Sequence, residues 1–253
     1  MHLSLPAYLL LAATGLIAGL VDAIAGGGGL VALPMLLNFG FPPALALGTS
    51  KLQSSIGTSI AARHYVQRGV VDLAACRLGV ACTIAGALAG AWTVSQIDSG
   101  FLARVIPWML VAILLYTIFR PQVGLEDRAP RMSPARFFAG AGLGLGFYDG
   151  FFGPGAGSLW TIFLVVGLGQ NFVKATGYTK VMNLASNVMA LLIFAGGGHV
   201  DYPVGLCMAA GQVAGARLGA GLVVKNGARF VRPIFLVVVS ATVARLLWVV
   251  AHR

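Results

Sequence analysis

The sequences VDAIAGGGG at residues 21–29 and YDGFFGPGA at residues 148–156 share one pattern, in which an aspartate is followed four residues later by a glycine-rich turn. Each turn interrupts an apolar run and precedes a short apolar segment. Backbone that leaves the helix at membrane depth is tolerated only where it is buried in protein or lines a polar cavity. The duplicated turns therefore predict two broken or re-entrant helices around a site, with close helix packing as the alternative use of glycine.

The composition is that of a membrane protein. Of the 253 residues, 58% are hydrophobic and 9% are charged, whereas a soluble domain carries about 25% charged residues. The mean hydropathy of +0.88 agrees, so soluble enzymes, nucleic-acid binders and disordered proteins are excluded. The net charge of +10 comes from basic residues that lie mostly between the apolar stretches. There they indicate topology in a lipid bilayer and not a nucleic-acid partner.

Ten apolar segments follow one another along the chain, and two of them, 29–40 and 156–169, are short runs of about 10–14 residues, which are more often broken or re-entrant pieces than full membrane spans. The first has no preceding Lys or Arg and ends with Asp22, so we expect it to be retained as a helix and not cleaved as a signal peptide. Only one loop is long, at 120–133, and it divides the chain into nearly equal halves. The predicted segments are 5–24, 29–40, 43–62, 73–95, 102–119, 135–150, 156–169, 173–195, 202–223 and 231–250.

The two halves are copies of one another. Residues 22–29 align with 149–156 at an offset of 127, and residues 46–52 align with 175–181 at an offset of 129. The second offset also pairs Gly69 and Asp72 with Gly198 and Asp201, and Ala85-Gly86-Ala87 with Ala214-Gly215-Ala216. Agreement at nearly one register over about 70 residues indicates an internal repeat.

The basic residues predict that the two copies are oppositely oriented. Two arginines follow the segment 43–62, whereas the equivalent loop 196–201 has no Lys or Arg. The loop after 73–95 has one arginine near its far edge, whereas its equivalent, 224–232, has three basic residues. Because cytoplasmic loops retain Lys and Arg, opposite charge in equivalent loops implies opposite orientation.

The predicted fold is therefore an all-α, polytopic transmembrane bundle of two inverted repeats with broken or re-entrant glycine-rich segments. Its predicted parts are a first repeat at 1–119, a cytoplasmic linker at 120–134 and a second repeat at 135–253, with both termini periplasmic. The number of membrane crossings is eight to ten, because the two short segments are either re-entrant or spanning.

Five ionisable residues lie inside apolar runs, where each costs at least ~2.5 kcal/mol on insertion scales and so indicates function. Asp22 and Asp149 occupy equivalent places in the two halves, as do Lys51 and Lys180. The lysines would compensate an anionic substrate, and the carboxylates would carry a coupling proton or form ion pairs. Two purely structural Asp–Lys pairs are the alternative. Arg217 either adds positive potential to the site or extends to the membrane surface.

Polar side chains near the two lysines add to the predicted site. On a helix, Ser50, Gln53 and Ser54 share one face, as do Thr179, Asn183 and Asn187. They line a pathway or, equally, bond neighbouring helices. The predicted substrate-binding residues are Gly26, Gly27, Gly28, Gly29, Lys51, Gly153, Pro154, Gly155, Gly157, Lys180, Asn183, Asn187 and Arg217.

Catalytic and cofactor motifs are not found in the sequence. Ser158 has no general base, because His199 is predicted in an outer loop and His64 at an inner helix end. The four histidines lack metal-ligand spacing, and the glycine-rich turns lack the Lys-Ser/Thr continuation of a P-loop. We therefore expect no cofactor, no bound metal and no enzymatic activity.

The motifs GFYDGFFGPGAGS at 146–158 and ATGYTK at 175–180, with GGGG at 26–29 ahead of Pro34, closely resemble the sulfite exporter TauE/SafE family of bacterial membrane proteins. GQVAGA at 211–216 and KNGAR at 225–229 also fit that family, so the likeness spans both halves. The resemblance implies a multi-pass transporter of the cytoplasmic membrane for small anions such as sulfite, sulfoacetate or other sulfur and carboxylate compounds. Ala156 departs from the motif, where Thr is common, and weakens any transfer of one substrate's identity.

Two functions are compatible with these patterns. The first is a secondary transporter that exports a small anion such as a sulfur oxyanion, organosulfonate or carboxylate. Proton coupling is one option for this transporter, and an anion channel is a close variant. The second is a membrane-embedded enzyme that acts on a lipid or polyprenyl substrate. The charged residues inside the apolar runs of the chain are spread over both halves and form no metal-binding acidic cluster. This distribution favours transport over the enzyme. The sequence assigns no oligomeric state.

Overall fold

The computed structural model of the chain describes residues 3–119 and 127–226 and folds these ranges as helices without a strand. The last predicted segment, 231–250, lies outside the described residues. The helices are α1 (Leu5–Ala25), α2 (Gly28–Asn38), α3 (Pro43–Gln67), α4 (Arg77–Ser95), α5 (Ser99–Phe119), α6 (Pro134–Phe151), α7 (Ala156–Leu168), α8 (Phe172–Gly196) and α9 (Tyr202–Asn226).

The predicted polytopic all-α fold is confirmed. By length and composition, four of the described helices, α1, α4, α8 and α9, are able to cross a membrane. Helices α2 and α7, which follow the glycine-rich turns, are apolar but only 11 and 13 residues long. At a rise of about 1.5 Å per residue they are too short to span about 30 Å of hydrocarbon.

Two helix starts differ from the prediction, and in both cases an aspartate explains the difference. The carboxylate of Asp72 accepts a hydrogen bond from the Ala74 N–H at 2.8 Å, which holds a turn where helix was predicted from residue 73. Helix α4 therefore begins four residues later. Conversely, Asp98 accepts from the N–H of Gly100 and Phe101 at 2.7 and 3.1 Å. This satisfies first-turn donors, so α5 begins at Ser99 instead of 102.

The two halves of the chain are interleaved. Helix α1 packs along α9, and α4 packs along α6, so the first and fourth helices of each half take partners from the other half. Glycines allow these backbones to touch: a Cβ at Gly15 would lie 2.0 Å from the Met208 carbonyl oxygen, and one at Gly90 would lie 2.1 Å from that of Phe147. Small residues at such interfaces let membrane helices approach closely.

Helices α3 and α8 form the centre of the molecule and run antiparallel. Gly48, near the start of α3, lies against Phe194 near the end of α8, whereas Gly177, near the start of α8, lies against Tyr65 near the end of α3. These two helices occupy equivalent positions in the repeat. They therefore carry the equivalent lysines, Lys51 and Lys180, on two antiparallel helices.

Candidate functional site

Each of the first helices of the two halves is interrupted at the predicted glycine turn. Helix α1 ends at Gly26, which has φ +75° and donates its N–H to the Asp22 carbonyl at 2.8 Å. At the equivalent place after α6, Gly153 has φ +96° and Gly155 has φ +80°. Backbone with positive φ is strained for other L-residues, which explains why both turns require glycine.

The two turns touch one another. A Cβ added to Gly26 would lie 2.5 Å from the Cα of Gly157, so only glycine backbones fit this contact. The Ser158 hydroxyl crosses the contact and donates to the Ala25 carbonyl at 2.9 Å. Residues from opposite halves of the chain are thus held in one place at the start of α7.

The first ion pair of the site joins α3 to α6. The Lys51 ammonium lies 2.6 Å from Asp149 Oδ1, and it also donates to the Asp149 carbonyl at 2.5 Å and to Asn187 Oδ1 at 3.0 Å. The other oxygen of the Asp149 carboxylate accepts a short hydrogen bond from the Ser186 hydroxyl. Lys51 and Asp149 are both buried, so this pair is desolvated and hydrogen-bonded on each side.

The second ion pair joins the two residues that are equivalent, in the internal repeat, to those of the first pair. Lys180 in α8 lies 3.1 Å from Asp22 Oδ2 and also donates to the Asp22 carbonyl oxygen. The Thr58 hydroxyl approaches the same Oδ2 at 3.4 Å. Each lysine therefore binds the carboxylate and the carbonyl of an aspartate that comes from the other half, just before a glycine turn.

A cavity lies where the turns meet α3 and α8. It contains about 400 Å³ of atom-free space, part of which is continuous with the outside. Its described walls are formed by the polar side chains of Asp22, Ser50, Lys51, Ser54, Asp149, Asn183 and Asn187, by the turn residues Gly26, Gly29, Gly153, Pro154 and Gly157, and by Leu33, Leu47 and Phe152.

Most of the predicted site residues lie on this wall, but several do not. Gly27, Gly28 and Gly155 are buried in the turns behind the described lining, and Lys180 has no exposed surface. The equivalent lysines therefore differ: Lys51 contributes to the cavity wall, whereas Lys180 reaches it only through Asp22.

Arg217 is placed away from the cavity. It is exposed on α9, whereas Gly215 of the same helix faces α1, where its Cβ would lie 2.0 Å from the Leu16 carbonyl oxygen. Since α9 must turn its small residues towards α1, Arg217 points out of the bundle. It is not part of the described cavity lining, and its alternative role at the membrane surface fits its exposed position.

Four residues with a place in the site were not assigned to it from the sequence. Leu33, Leu47 and Phe152 form an apolar part of the wall that no motif indicated. The Tyr148 hydroxyl donates to the Pro154 carbonyl at 2.6 Å and so fastens the second turn. The place of Tyr148 beside Asp149 in the YDG motif was the available signal for its role.

Among the described residues, no group of three His, Cys, Asp or Glu side chains could hold a metal ion.

The site is thus a polar, charge-balanced cavity built by both halves, with an ion-paired lysine and two amides on its wall. Comparison with known proteins places it in context. A sequence model described as sulfite exporter TauE/SafE matches residues 11–246. No solved structure matches the chain.

Several curated proteins are similar over nearly the whole chain. The probable membrane transporter protein YfcA of Escherichia coli (strain K12) is 40% identical over 92% of this chain and 87% of its own length. A probable membrane transporter protein of Haemophilus influenzae is 37% identical over 98% and 97%, respectively. The probable membrane transporter protein ORF9 of a Sinorhizobium species is 39% identical over 95% and 92%. The chain therefore belongs to the sulfite exporter TauE/SafE family and is a multi-pass membrane protein.

Proposed function

We propose that the protein is a secondary transporter that moves a small anion outward across the bacterial cell membrane through the cavity between its glycine turns. The observation that carries the proposal is the contact between Gly26 and Gly157, which brings the two interrupted helices together beside Lys51. A sulfur oxyanion, an organosulfonate or a carboxylate would suit the polar lining of this cavity.

The broken helices support an anionic substrate. Helices α2 and α7 both begin at the turns that line the cavity. The first N–H groups of a helix have no acceptor within the helix, and its N-terminus carries about half a positive charge. Two such ends beside Lys51 would favour negative charge between them, as at other anion sites on helix N-termini.

The arrangement of the halves supports transport. We propose that they are inverted repeats related by an axis in the membrane plane, an arrangement used by many secondary transporters. The antiparallel course of α3 and α8 and the exchange of partners between the halves support this proposal. The same site would then be approached by equivalent surfaces from either side of the bilayer.

The proposal is tested by anion flux from proteoliposomes under an imposed pH gradient, with sulfite, sulfoacetate and small carboxylates as the panel. We expect flux with the native protein and at least a tenfold loss with Gly157→Ala, because the new methyl group would lie 2.5 Å from the Gly26 Cα. Gly144→Ala is the matched control, since nothing lies within 4 Å of a Cβ there. No flux for any anion in the panel would overturn the proposal.

The same preparation separates transport from the membrane-enzyme alternative. A transporter in detergent has no gradient to use and releases no product, whereas an enzyme would turn over a lipid or polyprenyl substrate there. Product formation in detergent together with absent flux would assign the protein to the second class.

A further inference from the structure

The charges at the site balance. Lys51 and Lys180 contribute two positive charges, and Asp22 and Asp149 contribute two negative charges, in the two ion pairs of the site. An anion that enters the cavity therefore meets a neutral group of side chains. Transfer of a further negative charge into a desolvated site is costly unless a positive charge is added with it.

Lys51 has no hydrogen left for a substrate. An ammonium group has three donors, and those of Lys51 are directed at the Asp149 carbonyl, at Asp149 Oδ1 and at Asn187 Oδ1. The second oxygen of Asp149 is occupied by Ser186. This ion pair is saturated in the structure.

Asp22 differs from its equivalent. Both side-chain hydrogen bonds to its carboxylate, from Lys180 and from Thr58, end on Oδ2. Within residues 3–119 and 127–226, no donor is bonded to Oδ1. The Asp22 side chain is 13% exposed and lines the cavity, whereas that of Asp149 is 4% exposed. One carboxylate oxygen of a residue on the cavity wall is thus left without a donor among the described residues.

The helices around Asp22 bring few other titratable groups to it. Lys180 approaches from α8, Lys51 shares the cavity wall from α3, and Asp149 shares it from α6. The Tyr65 hydroxyl of α3 donates to the carbonyl of Ala23. Helices α2 and α7 contain no titratable residue, and the described charged residues of α9, Arg217 and Lys225, are exposed.

We propose that Asp22 is the proton-binding residue of the cavity and that its protonation precedes anion binding. This inference rests on the proposed transport function. A proton from solution would form an O–H bond at Oδ1, while Oδ2 would continue to accept from Lys180. The two ion pairs would then carry one net positive charge, and the new O–H would be a donor on the cavity wall. A monoanion restores neutrality, so one proton and one anion would move together.

The proposal is tested by pH-difference infrared spectroscopy of the purified full-length protein, which detects the carbonyl band of a buried protonated carboxyl group without any ligand. We expect acidification from about pH 9 to about pH 3, which extends below the ordinary carboxyl pKa of about 3.9, to produce such a band in the native protein. The band should be lost in Asp22→Asn and retained in Asp149→Asn, the equivalent substitution in the other half.

If one of the two variants does not fold, the other still decides which aspartate gives the band. Of the chain's seven acidic residues, only Asp22 and Asp149 lie inside apolar runs, so the band of a buried carboxyl group belongs to one or the other. A band that persists in Asp22→Asn, a band lost in Asp149→Asn, or no band in the native protein would overturn the proposal. A band assigned to Asp22 together with no anion flux would instead overturn the transport function, so the two failures are distinguishable.

Discussion

At the scale of single residues, the exchange of ion-pair partners between the halves dominates the site. Lys51 binds Asp149 and Lys180 binds Asp22, so each half supplies the counter-charge of the other. Removing one member of a buried pair leaves an uncompensated charge and typically costs about 3–5 kcal/mol, whereas replacing both by apolar residues is often neutral. The pairs therefore contribute to holding the halves together as well as to the chemistry of the cavity.

Lys180 offers the sharper stability test, because it is fully buried. We expect Lys180→Met to lower the free energy of unfolding by about 3–5 kcal/mol, since Asp22 loses its counter-charge. The double variant Lys180→Met/Asp22→Leu should recover most of this loss. Thermal unfolding in detergent measures both, and equal stability of the native protein and the single variant would contradict the expectation.

The sequence identified the charged residues but not their individual roles. Equivalent positions in a repeat suggest equal roles, so Lys51 and Lys180 were predicted alike, yet only Lys51 lies on the described cavity wall. The partner of each lysine depends on which helices become neighbours, and no local pattern records that. The two roles of Arg217 were left open for the same reason, because the face of α9 that packs on α1 is set by contacts with residues about 200 positions away.

At the scale of helices, glycine contacts set the spacing of the two interleaved helix pairs. Gly215 in α9 and Gly86 in α4 are equivalent residues, and a Cβ on either would lie 2.0–2.3 Å from a carbonyl oxygen of the partner helix. Any larger residue must therefore separate the helices or bend one of them.

We expect Gly215→Ala to destabilise the protein by about 1–3 kcal/mol, the usual cost of overpacking, because α1 and α9 can no longer touch. Gly221→Ala in the same helix is the control, since nothing lies within 4 Å of its Cβ position. The difference in unfolding temperature between the two variants measures the effect. Similar unfolding temperatures would show that α9 adjusts to the added methyl group without cost.

Helix positions followed well from apolar runs, and the exceptions have local causes. The predicted segment 202–223 corresponds to α9 and 156–169 to α7 within three residues at each end. Helix α3 continues to Gln67, beyond the predicted 43–62, because its end is polar and extends past the apolar stretch on which the prediction depended. The hydrogen bonds of Asp72 and Asp98 shifted two starts, and apolarity alone does not contain that information.

At the scale of the whole molecule, the proposed inversion of the halves makes a prediction about sidedness. Ser133 and Gly197 are both exposed, and the charge pattern assigns them to opposite sides of the membrane. In a background without Cys76, Cys82 and Cys207, we expect Ser133→Cys to react with an impermeant thiol reagent only from the cytoplasm and Gly197→Cys only from outside. Reaction of both from one side would contradict the inverted arrangement.

The interleaving of the halves was not predictable from the repeat, because an alignment identifies equivalent segments without stating which of them touch. It leads to a further expectation. Residues 1–119 expressed alone would leave the glycine faces of α1 and α4 without their partners α9 and α6. We expect this fragment to be degraded, whereas co-expression with residues 127–253 should restore a stable complex that co-purifies. Stable accumulation of the first fragment alone would contradict the expectation.

The pairing of α1 with α9 also constrains biogenesis. About 180 residues separate the end of one helix from the start of the other, so at roughly 5–20 residues per second a ribosome needs some 10–35 s to deliver the missing partner. Throughout that interval the nascent chain exposes a narrow, backbone-rich groove to lipid. The α1–α9 contact therefore forms only after α9 has been synthesised.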